Sequence, residues 1–306
     1  MKLKDIGEDG LVEQIRLMAG PSGGDVIAGI GDDAAVIKKD GSTLLLFTTD
    51  MLVENVHFTR EMSFFDIGRK AVGVNLSDIA AMGGSPGYAF ASIGIREDMS
   101  AGDIRELYEG MLSHAREYGV LILGGDTNRS PESFVLNICL TGEVEKDRLC
   151  LRSTARPGDS IFVTGTLGNS ALFLEKGEYF PVKPRLKEAE ALLDIAKPTS
   201  MIDISDGLAK DLKRLCGSSG AGAEILREEI PAAEGASLET ALSGGEDFEL
   251  LFTAPAGREK KLLSEFPAKT GVRLSLIGRI NNKDEGIFIV DKKNRRKPLE
   301  GGYAHF

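Results

Sequence analysis

The chain has 306 residues, 42% of them hydrophobic, and a formal net charge of −10 at pH 7. This charge argues against a general nucleic-acid surface, because neutralising phosphates requires clustered Lys and Arg. With no CxxC pair, no apolar leader at the N-terminus and no apolar run of about 18 residues, we expect a cytoplasmic protein with reduced thiols and no membrane span. The basic tract Lys292–Lys297 is an exception to the acidic composition, and it favours a solvated turn over a binding patch.

Strands and amphipathic helices alternate in the first half of the chain. The patterns predict, in chain order, a strand at Leu44–Phe47, a helix at Asp66–Met82, a strand at Tyr88–Ile95, a helix at Ala101–Tyr118 and strands at Val120–Leu123 and Phe134–Val144. On the first helix, three- and four-residue spacing puts Asp78 on one stripe with Ala71 and Val74. A lone carboxylate on an apolar stripe is costly to bury unless it is paired or metal-bound, so we expect Asp78 to be functional.

A polar connection at Arg152–Asp159 separates this region from a second mixture of strands and helices. The patterns there predict strands at Ser160–Thr164, Phe248–Thr253, Leu274–Ile280 and Ile287–Val290, and helices near Ser170–Lys176, Arg185–Ala196 and Arg258–Phe266 and directly after Gly207. We therefore expect two compact α/β (α+β) domains, residues 1–147 and 148–306, with ligand groups at strand ends.

Short acidic segments flanked by glycine or small hydroxyl residues recur along much of the chain. They are GDDAAV at Gly31–Val36, TTD at Thr48–Asp50, GGDT at Gly124–Thr127, DISDG at Asp203–Gly207 and GGED at Gly244–Asp247. They lie at the ends of apolar runs, where glycine lets the backbone turn and approach a ligand closely. Converging carboxylates repel one another unless a cation neutralises them, and oxygen ligands without Cys or His favour magnesium, manganese or calcium. The segments therefore predict a divided metal site, and magnesium in turn indicates a phosphate substrate.

Taken singly, each segment also has a simpler interpretation. Asp33 can belong to an ordinary turn, and Asp206 can be the N-cap of the following helix, although a cap leaves Asp203 unexplained. His57, shortly after TTD, is as consistent with packing as with ligand binding. The glycines before Asp126 can expose backbone amides to phosphate, but diglycine turns are common.

The sequence lacks other well-known phosphate-binding and hydrolytic motifs. No GxxxxGK[ST] motif is present, and the nearest glycine-rich segment, Thr164–Ser170, has no lysine. The sequence also has no GxSxG motif and no kinase-type HRD or DFG set. A Walker-type phosphate cradle is therefore excluded, and nothing indicates a protein kinase or an α/β-hydrolase.

Taken together and in order, the motifs closely resemble those of the thiamine-monophosphate kinase family. The matching segments are GDDAAV, TTDMLVENVHF, AVGVNLSDIAAMGG, LGGDT, the segment at Arg152, IDISDGL, LSGGEDFELLF and the terminal GGYAHF, and they span nearly the whole chain. The resemblance implies the two-domain fold of the aminoimidazole ribonucleotide synthetase superfamily. It also implies Mg²⁺-assisted transfer of the γ-phosphoryl group of ATP to thiamine monophosphate. Finally, it implies a homodimer with strands of the N-terminal domain packed across the interface.

The resemblance further implies a role for each matching residue. The implied magnesium ligands are Asp33, Thr48, Thr49, Asp50, Asp78, Asp126, Asp203 and Asp206. The implied ATP contacts are Gly125, Asp126, Arg152 and Ser205, and the implied contacts of thiamine monophosphate are His57, Glu246 and Tyr303. No general base is assigned, because the acceptor phosphate is mostly dianionic and already nucleophilic. Alignment leaves open whether Asp32 or Asp33 is the ligand.

Two alternatives remain open from the sequence. A related enzyme acting on a ribonucleotide would share the ATP residues but not His57, GGED and GGYAHF. A non-catalytic Mg-ATP binder would keep the carboxylates and lose the acceptor contacts. Because the acceptor positions are all intact, the sequence favours the kinase over both.

Overall fold

The computed structural model describes residues 2–20 and 23–303. The first half contains α1 (Leu3–Ala19), β1 (Val26–Ala28), β2 (Ala35–Lys38), β3 (Thr43–Val53), α2 (Phe64–Ala81), β4 (Ser85–Ile95), α3 (Ala101–Glu117), β5 (Leu121–Arg129) and β6 (Val135–Glu145). The second half contains β7 (Ser160–Thr164), α4 (Asn169–Glu175), α5 (Leu186–Ala196), β8 (Ser200–Asp203), α6 (Leu208–Ser219), β9 (Ala221–Leu226), α7 (Leu238–Ser243), β10 (Leu250–Ala254), α8 (Glu259–Thr270), β11 (Leu274–Asn282), β12 (Ile287–Val290) and β13 (Arg296–Pro298). Both halves mix strands and helices, as the sequence predicted.

The strands of the first half form a six-stranded sheet in the order β1-β2-β3-β6-β4-β5. Alternate side chains of β3 and β6, such as Leu46 and Leu136, enter a core that α2 and α3 share. These two helices lie very close together, because glycines stand where they meet. A Cβ on Gly68 of α2 would overlap the carbonyl oxygen of Leu107 on α3. The helices thereby fix one face of the sheet as the buried face.

The other face of this sheet, called the outer face below, carries apolar side chains that lie open to solvent. Met51 on β3, Tyr88 on β4 and Leu121 on β5 are 55%, 51% and 59% exposed. Apolar side chains grouped on one sheet face are costly to leave in water. The outer face is therefore a candidate contact surface.

The strands of the second half form a seven-stranded sheet in the order β13-β12-β9-β11-β7-β10-β8. Helices α6 and α7 pack on one face through residues such as Leu212 and Ala241. Helices α5 and α8 pack on the other face through residues such as Leu192 and Phe266. The sheet is therefore covered on both sides and forms the centre of the second half.

Helix α2 joins the two halves. Ala80 and Ala81, at its end, pack into the second-half core beside Phe162. One turn earlier, the Ser77 hydroxyl donates a hydrogen bond of 2.6 Å to the Asp203 carboxylate at the end of β8. These contacts bring the carboxylate-bearing part of α2 directly against β8.

Most of the predicted helices and strands are confirmed, but two placements were wrong. Thr48–Asp50 lies in the middle of β3 and Gly124–Thr127 lies inside β5, rather than at strand ends. Both strands continue because their backbones stay paired beyond the polar residues, β3 with β6 and β5 with β4. The alternation of side chains along a strand therefore applies to both motifs.

Several elements were not predicted, among them α1, β8 and β9. Helix α1 has no buried residue, so no apolar stripe marks it, and β8 has only 4 residues. The basic tract forms the turn between β12 and β13 and the start of β13. The terminal GGYAHF motif is described as far as Tyr303, so His305 lies outside the described residues. In the described part of the chain, no helix has the length and apolar character to cross a membrane.

Candidate metal and phosphate site

A cavity of about 310 Å³ lies where α2 and β3 of the first half meet β8 and neighbouring loops of the second half. Asp50 and Asp78 line it from the first half, and Asp203 and Asp206 line it from the second. The other sequence-predicted site residues on its wall are His57, Ser205, Glu246 and Tyr303. Residues from distant segments are thus collected around one cavity.

Three carboxylates, called the carboxylate cluster below, converge at this junction. Asp33 precedes β2, Asp78 lies on α2 and Asp203 ends β8, and each offers an oxygen within 4.8 Å of the others. The Thr48 hydroxyl on β3 donates a hydrogen bond to the Asp78 carboxylate. Chain segments from both halves therefore contribute oxygen atoms to one small volume.

Burial makes the ionised forms of Asp78, Asp203 and the nearby Asp50 unfavourable without a cation. Desolvation, followed by the charge of neighbouring carboxylates, raises the pKa values of Asp78 and Asp203 well above the usual range. Burial, followed by the charges of Asp33 and Asp206, raises the pKa of Asp50 to about 6. Oxygen Oδ2 of Asp33 is buried with no hydrogen-bond partner among the described residues. A hard divalent cation fits this donor set, because it would favour the ionised carboxylates and give that oxygen a partner.

Arg152 distinguishes Asp33 from Asp32. Its guanidinium Nη2 donates to Asp33 Oδ1 at 2.5 Å, whereas its backbone N–H lies 3.3 Å from both carboxylate oxygens of Asp32. Burial, followed by the charge of Asp33, raises the pKa of Asp32 to about 7. The fold therefore brings Asp33 to the carboxylate cluster and ties Asp32 to the backbone of the connection.

Asp206 is held by two cations that the sequence analysis did not select. Lys210 Nζ and Arg214 Nη1 lie 3.0 and 2.5 Å from its Oδ2. The same cations reach Glu8 of α1, at 2.8 and 3.3 Å. Lys210 and Arg214 lie four residues apart on one face of α6, and Asp206 lies four residues before Lys210, just ahead of the helix. This spacing was a signal in the sequence.

The predicted acceptor residues lie on the cavity wall but come from three separate segments. His57 follows β3, and its Nδ1 accepts a hydrogen bond of 3.1 Å from the β3 backbone. The Tyr303 N–H donates to the carbonyl oxygen of Asp206 at 2.9 Å. Glu246 has a φ of 64° in the loop before β10, and its carboxylate pairs at 2.6 Å with Lys70 on α2. Lys70 is a further site residue that the sequence analysis missed.

Thr49, Gly125 and Asp126 are not brought to the carboxylate cluster within one chain. The strand order β3-β6-β4-β5 puts three strand spacings, roughly 14 Å, between β3 and β5. Register and alternation place Thr49 and Asp126 on the outer face, opposite to the face that carries Asp50. Backbone packing alone already requires a glycine at position 125, because a Cβ on Gly125 would overlap the carbonyl oxygen of Ala91.

Family models match both halves of the chain. Residues 31–144 match the AIR synthase related protein, N-terminal domain, and residues 156–291 match the AIR synthase related protein, C-terminal domain. Two sheets joined by a carboxylate-lined junction agree with these matches. The fold and the site thus define an enzyme of the two-domain AIR synthase related class.

Full-length relatives identify the family within this class to which the chain belongs. The chain is 35% identical to the thiamine-monophosphate kinase of Aquifex aeolicus, with 100% of both chains covered. It is 35% identical to that of Bacillus subtilis, covering 92% of this chain and 94% of the relative, and 37% identical to that of Pyrococcus horikoshii, covering 89% of each. The chain belongs to the thiamine-monophosphate kinase family.

Solved structures agree with this assignment. AaThiL complexed with AMPPCP and TMP superposes with a TM-score of 0.84 at 33% identity, covering 100% of this chain and 99% of that one. The hydrogenase maturation protein HypE in complex with ATP gives a TM-score of 0.72 at 22% identity, covering 94% of each chain. The second likeness concerns the fold alone.

Proposed function

We propose that this chain transfers the γ-phosphoryl group of ATP to thiamine monophosphate, giving thiamine diphosphate and ADP as the last step of thiamine diphosphate biosynthesis. One observation carries the proposal: the carboxylate cluster adjoins a cavity wall formed by His57, Glu246 and Tyr303, which is the arrangement that a metal-phosphate site beside an acceptor pocket requires. Relatives named thiamine-monophosphate kinase support it. The likeness to a structure complexed with AMPPCP and TMP supports it as well.

The reaction requires the chain to neutralise negative charge rather than to transfer protons. The acceptor phosphate is mostly dianionic at neutral pH, so its oxygen is already a nucleophile and no general base is assigned. Two phosphate-bearing substrates must nevertheless enter an acidic cavity. Mg²⁺, when bound, supplies the positive charge that neutralises carboxylates and phosphate oxygens together.

The residues divide into three groups in this proposal. Mg²⁺ would be held by Asp33, Asp50, Asp78 and Asp203, with Thr48, Thr49, Asp126 and Asp206 completing the set. ATP would contact Gly125, Asp126, Arg152 and Ser205, and the acceptor would contact His57, Glu246 and Tyr303. Because Arg152 is already held by Asp33, its guanidinium would lose little freedom on contacting a phosphate.

We further propose that two copies of the chain pack through the outer face. This packing would bury Met51, Tyr88 and Leu121, which one chain leaves exposed. With a two-fold axis parallel to the strands, the order β3-β6-β4-β5 runs in reverse on the partner, and β5 lies over β3. Thr49 then approaches the partner's Asp126, which completes the ligand set that one chain leaves apart.

Two further expectations are retained as proposals. A division into residues 1–147 and 148–306 is supported by the family models, whose matches end at residue 144 and resume at residue 156. A cytoplasmic location is supported by the free thiols of Cys139, Cys150 and Cys216.

Single-turnover transfer of labelled γ-phosphate from ATP to thiamine monophosphate tests the function, with and without Mg²⁺. Thiamine and ribonucleotides of the aminoimidazole class serve as competing acceptors. Mg²⁺-dependent formation of labelled thiamine diphosphate is the expected result. ATP binding without transfer to thiamine monophosphate would overturn the proposal and favour a related enzyme or a regulatory ATP binder.

A further inference from the structure

Lys70 is a buried cation at the junction between the two halves. It lies on α2 and is 4% exposed. Its Nζ donates to the carbonyl oxygen of His57 at 2.5 Å and pairs with Glu246 Oε1 at 2.6 Å. Burying a lysine is costly unless its charge is paired and its protons are hydrogen-bonded. One ammonium group therefore connects two residues of the proposed acceptor wall, one from each half.

Both partners of Lys70 lie in segments with little regular structure. His57 belongs to the turn region after β3, and Glu246 belongs to residues 244–249, which form neither helix nor strand. Glu246 and Phe248 have φ values of 64° and 50°, in the left-handed region that residues other than glycine rarely occupy. Such a backbone persists only where the surrounding contacts hold it. The ion pair to Lys70 is one of those contacts.

We propose that Lys70 is a positioning residue for the acceptor. Its ammonium group sets the distance between the His57 segment and the Glu246 loop, and this distance determines how tightly the acceptor is held. The inference rests on the proposed function, because it takes His57 and Glu246 as acceptor contacts. Asp78 lies eight residues further along α2, about 12 Å away along the helix axis. Lys70 can therefore affect acceptor binding without touching the carboxylate cluster.

Lys70→Met removes the ammonium group and its charge but leaves an unbranched side chain of similar length. We expect the KM for thiamine monophosphate to rise on the order of tenfold, because the acceptor wall loses its fixed spacing, while the KM for ATP stays within about twofold. The matched control is Arg69→Met, whose guanidinium pairs with Glu117 of α3 at 2.7 Å, inside the first half. The control should leave both KM values unchanged. An acceptor KM that changes equally in both variants would overturn the proposal.

A double-mutant cycle tests whether Lys70 acts through Glu246. Glu246→Gln is measured alone and together with Lys70→Met. If the two residues act as one unit, the fold increase in the acceptor KM of the double variant is well below the product of the fold increases of the two single variants. Fully multiplicative effects would overturn the assignment of Lys70 as a residue that acts through Glu246.

Hydrogen exchange provides a readout that does not depend on catalysis. The amides of Glu246 and Phe248 donate to the carbonyl oxygens of Ser205 and Ile204 at 2.7 and 2.9 Å. We expect them to exchange about tenfold faster in Lys70→Met than in Arg69→Met. Equal exchange rates would overturn the positioning role whatever the kinetics show. Failure of the unmodified chain to phosphorylate thiamine monophosphate would instead overturn the proposed function, and the exchange rates would then decide whether Lys70 holds the loop.

Discussion

The carboxylates of the site differ in how their charge is balanced. Burial opposes ionisation of Asp206, but the charges of Arg214 and Lys210 outweigh it and lower its pKa. The Asp33 carboxylate forms an ion pair with the guanidinium of Arg152. Within the part of the chain that the structure describes, no Lys or Arg pairs with Asp50, and burial raises its pKa to about 6. Asp50 is therefore one of the carboxylates whose ionisation depends on a bound metal, as Asp78 and Asp203 are.

Replacing Asp50 separates catalysis from stability. Asp50→Asn should lower turnover on the order of a hundredfold, because it removes one preorganised charge from the site. Without Mg²⁺ the variant should unfold at the same temperature as the unmodified chain or higher, since a source of repulsion is gone. Turnover and thermal unfolding are measured on the same preparation, with Asp284→Asn in the exposed 3₁₀ turn Lys283–Glu285 as the control. Near-normal turnover in Asp50→Asn would contradict its role as a metal ligand.

The raised pKa of Asp50 also predicts how stability depends on pH and Mg²⁺. The folded chain holds this proton more tightly than the unfolded chain, so the stabilisation is complete below about pH 4 and is lost as the pH rises through about 6. Mg²⁺ binds the ionised form and should restore stability above that range. At about 100 times its Kd, Mg²⁺ should raise the Tm at pH 7.5 on the order of 5–10 °C, and clearly less at pH 5. Equal shifts at both pH values, measured by calorimetry, would contradict the cluster as the binding site.

At the scale of elements, α1 is attached differently from α2 and α3. None of its residues is buried. Its contacts with α6 include ion pairs of Glu8 with Lys210 and of Glu8 and Asp9 with Arg214. In these pairs the cations are largely buried, but the Glu8 and Asp9 side chains are 29% and 62% exposed, so salt screens the pairs in part. Because Glu8 also lines the cavity, release of α1 would widen access to the site.

The attachment of α1 can be tested by hydrogen exchange. Raising the salt concentration from about 50 mM to about 0.5 M should speed exchange of the α1 amides and leave those of α2 unchanged, because screening acts on ion pairs and not on buried apolar contacts. Glu8→Gln should have the same effect at low salt. Glu13→Gln is the control, since its partner Arg16 lies within α1. If the exchange rates of the α1 amides change neither with salt nor in Glu8→Gln, this mode of attachment is contradicted.

The elements also show how far the sequence could be interpreted. The acidic motifs were found because each is a local pattern, and the apolar stripe of α2 indicated Asp78, which lies in the carboxylate cluster. Lys70 precedes Val74 and Asp78 by four-residue steps, so the same stripe carried a signal for it that was not used. The separation of Thr49 from Asp126 could not be predicted, because it depends on β6 pairing with both β3 and β4. No local pattern contains that information.

At the scale of the whole molecule, polar contacts accompany the apolar packing at the junction between the halves. Ser77 with Asp203, Arg152 with Asp33 and Lys70 with Glu246 all cross it. Each contact includes a predicted ligand or acceptor residue. Any ligand that engages these side chains therefore also acts on contacts between the two halves.

The separation of Asp126 from Thr49 and Asp50 within one chain has a consequence for genetics. If each site combines Asp50 of one subunit with the partner's Asp126, then chains with Asp50→Asn and chains with Asp126→Asn, each inactive alone, form mixed dimers with one intact site. Co-expression should recover about a quarter of normal activity, because about half of randomly formed dimers are mixed and one site in each is whole. No recovery would contradict the shared site. A chain with both substitutions should instead be dominant, because it inactivates both sites of every dimer that it forms with a normal chain.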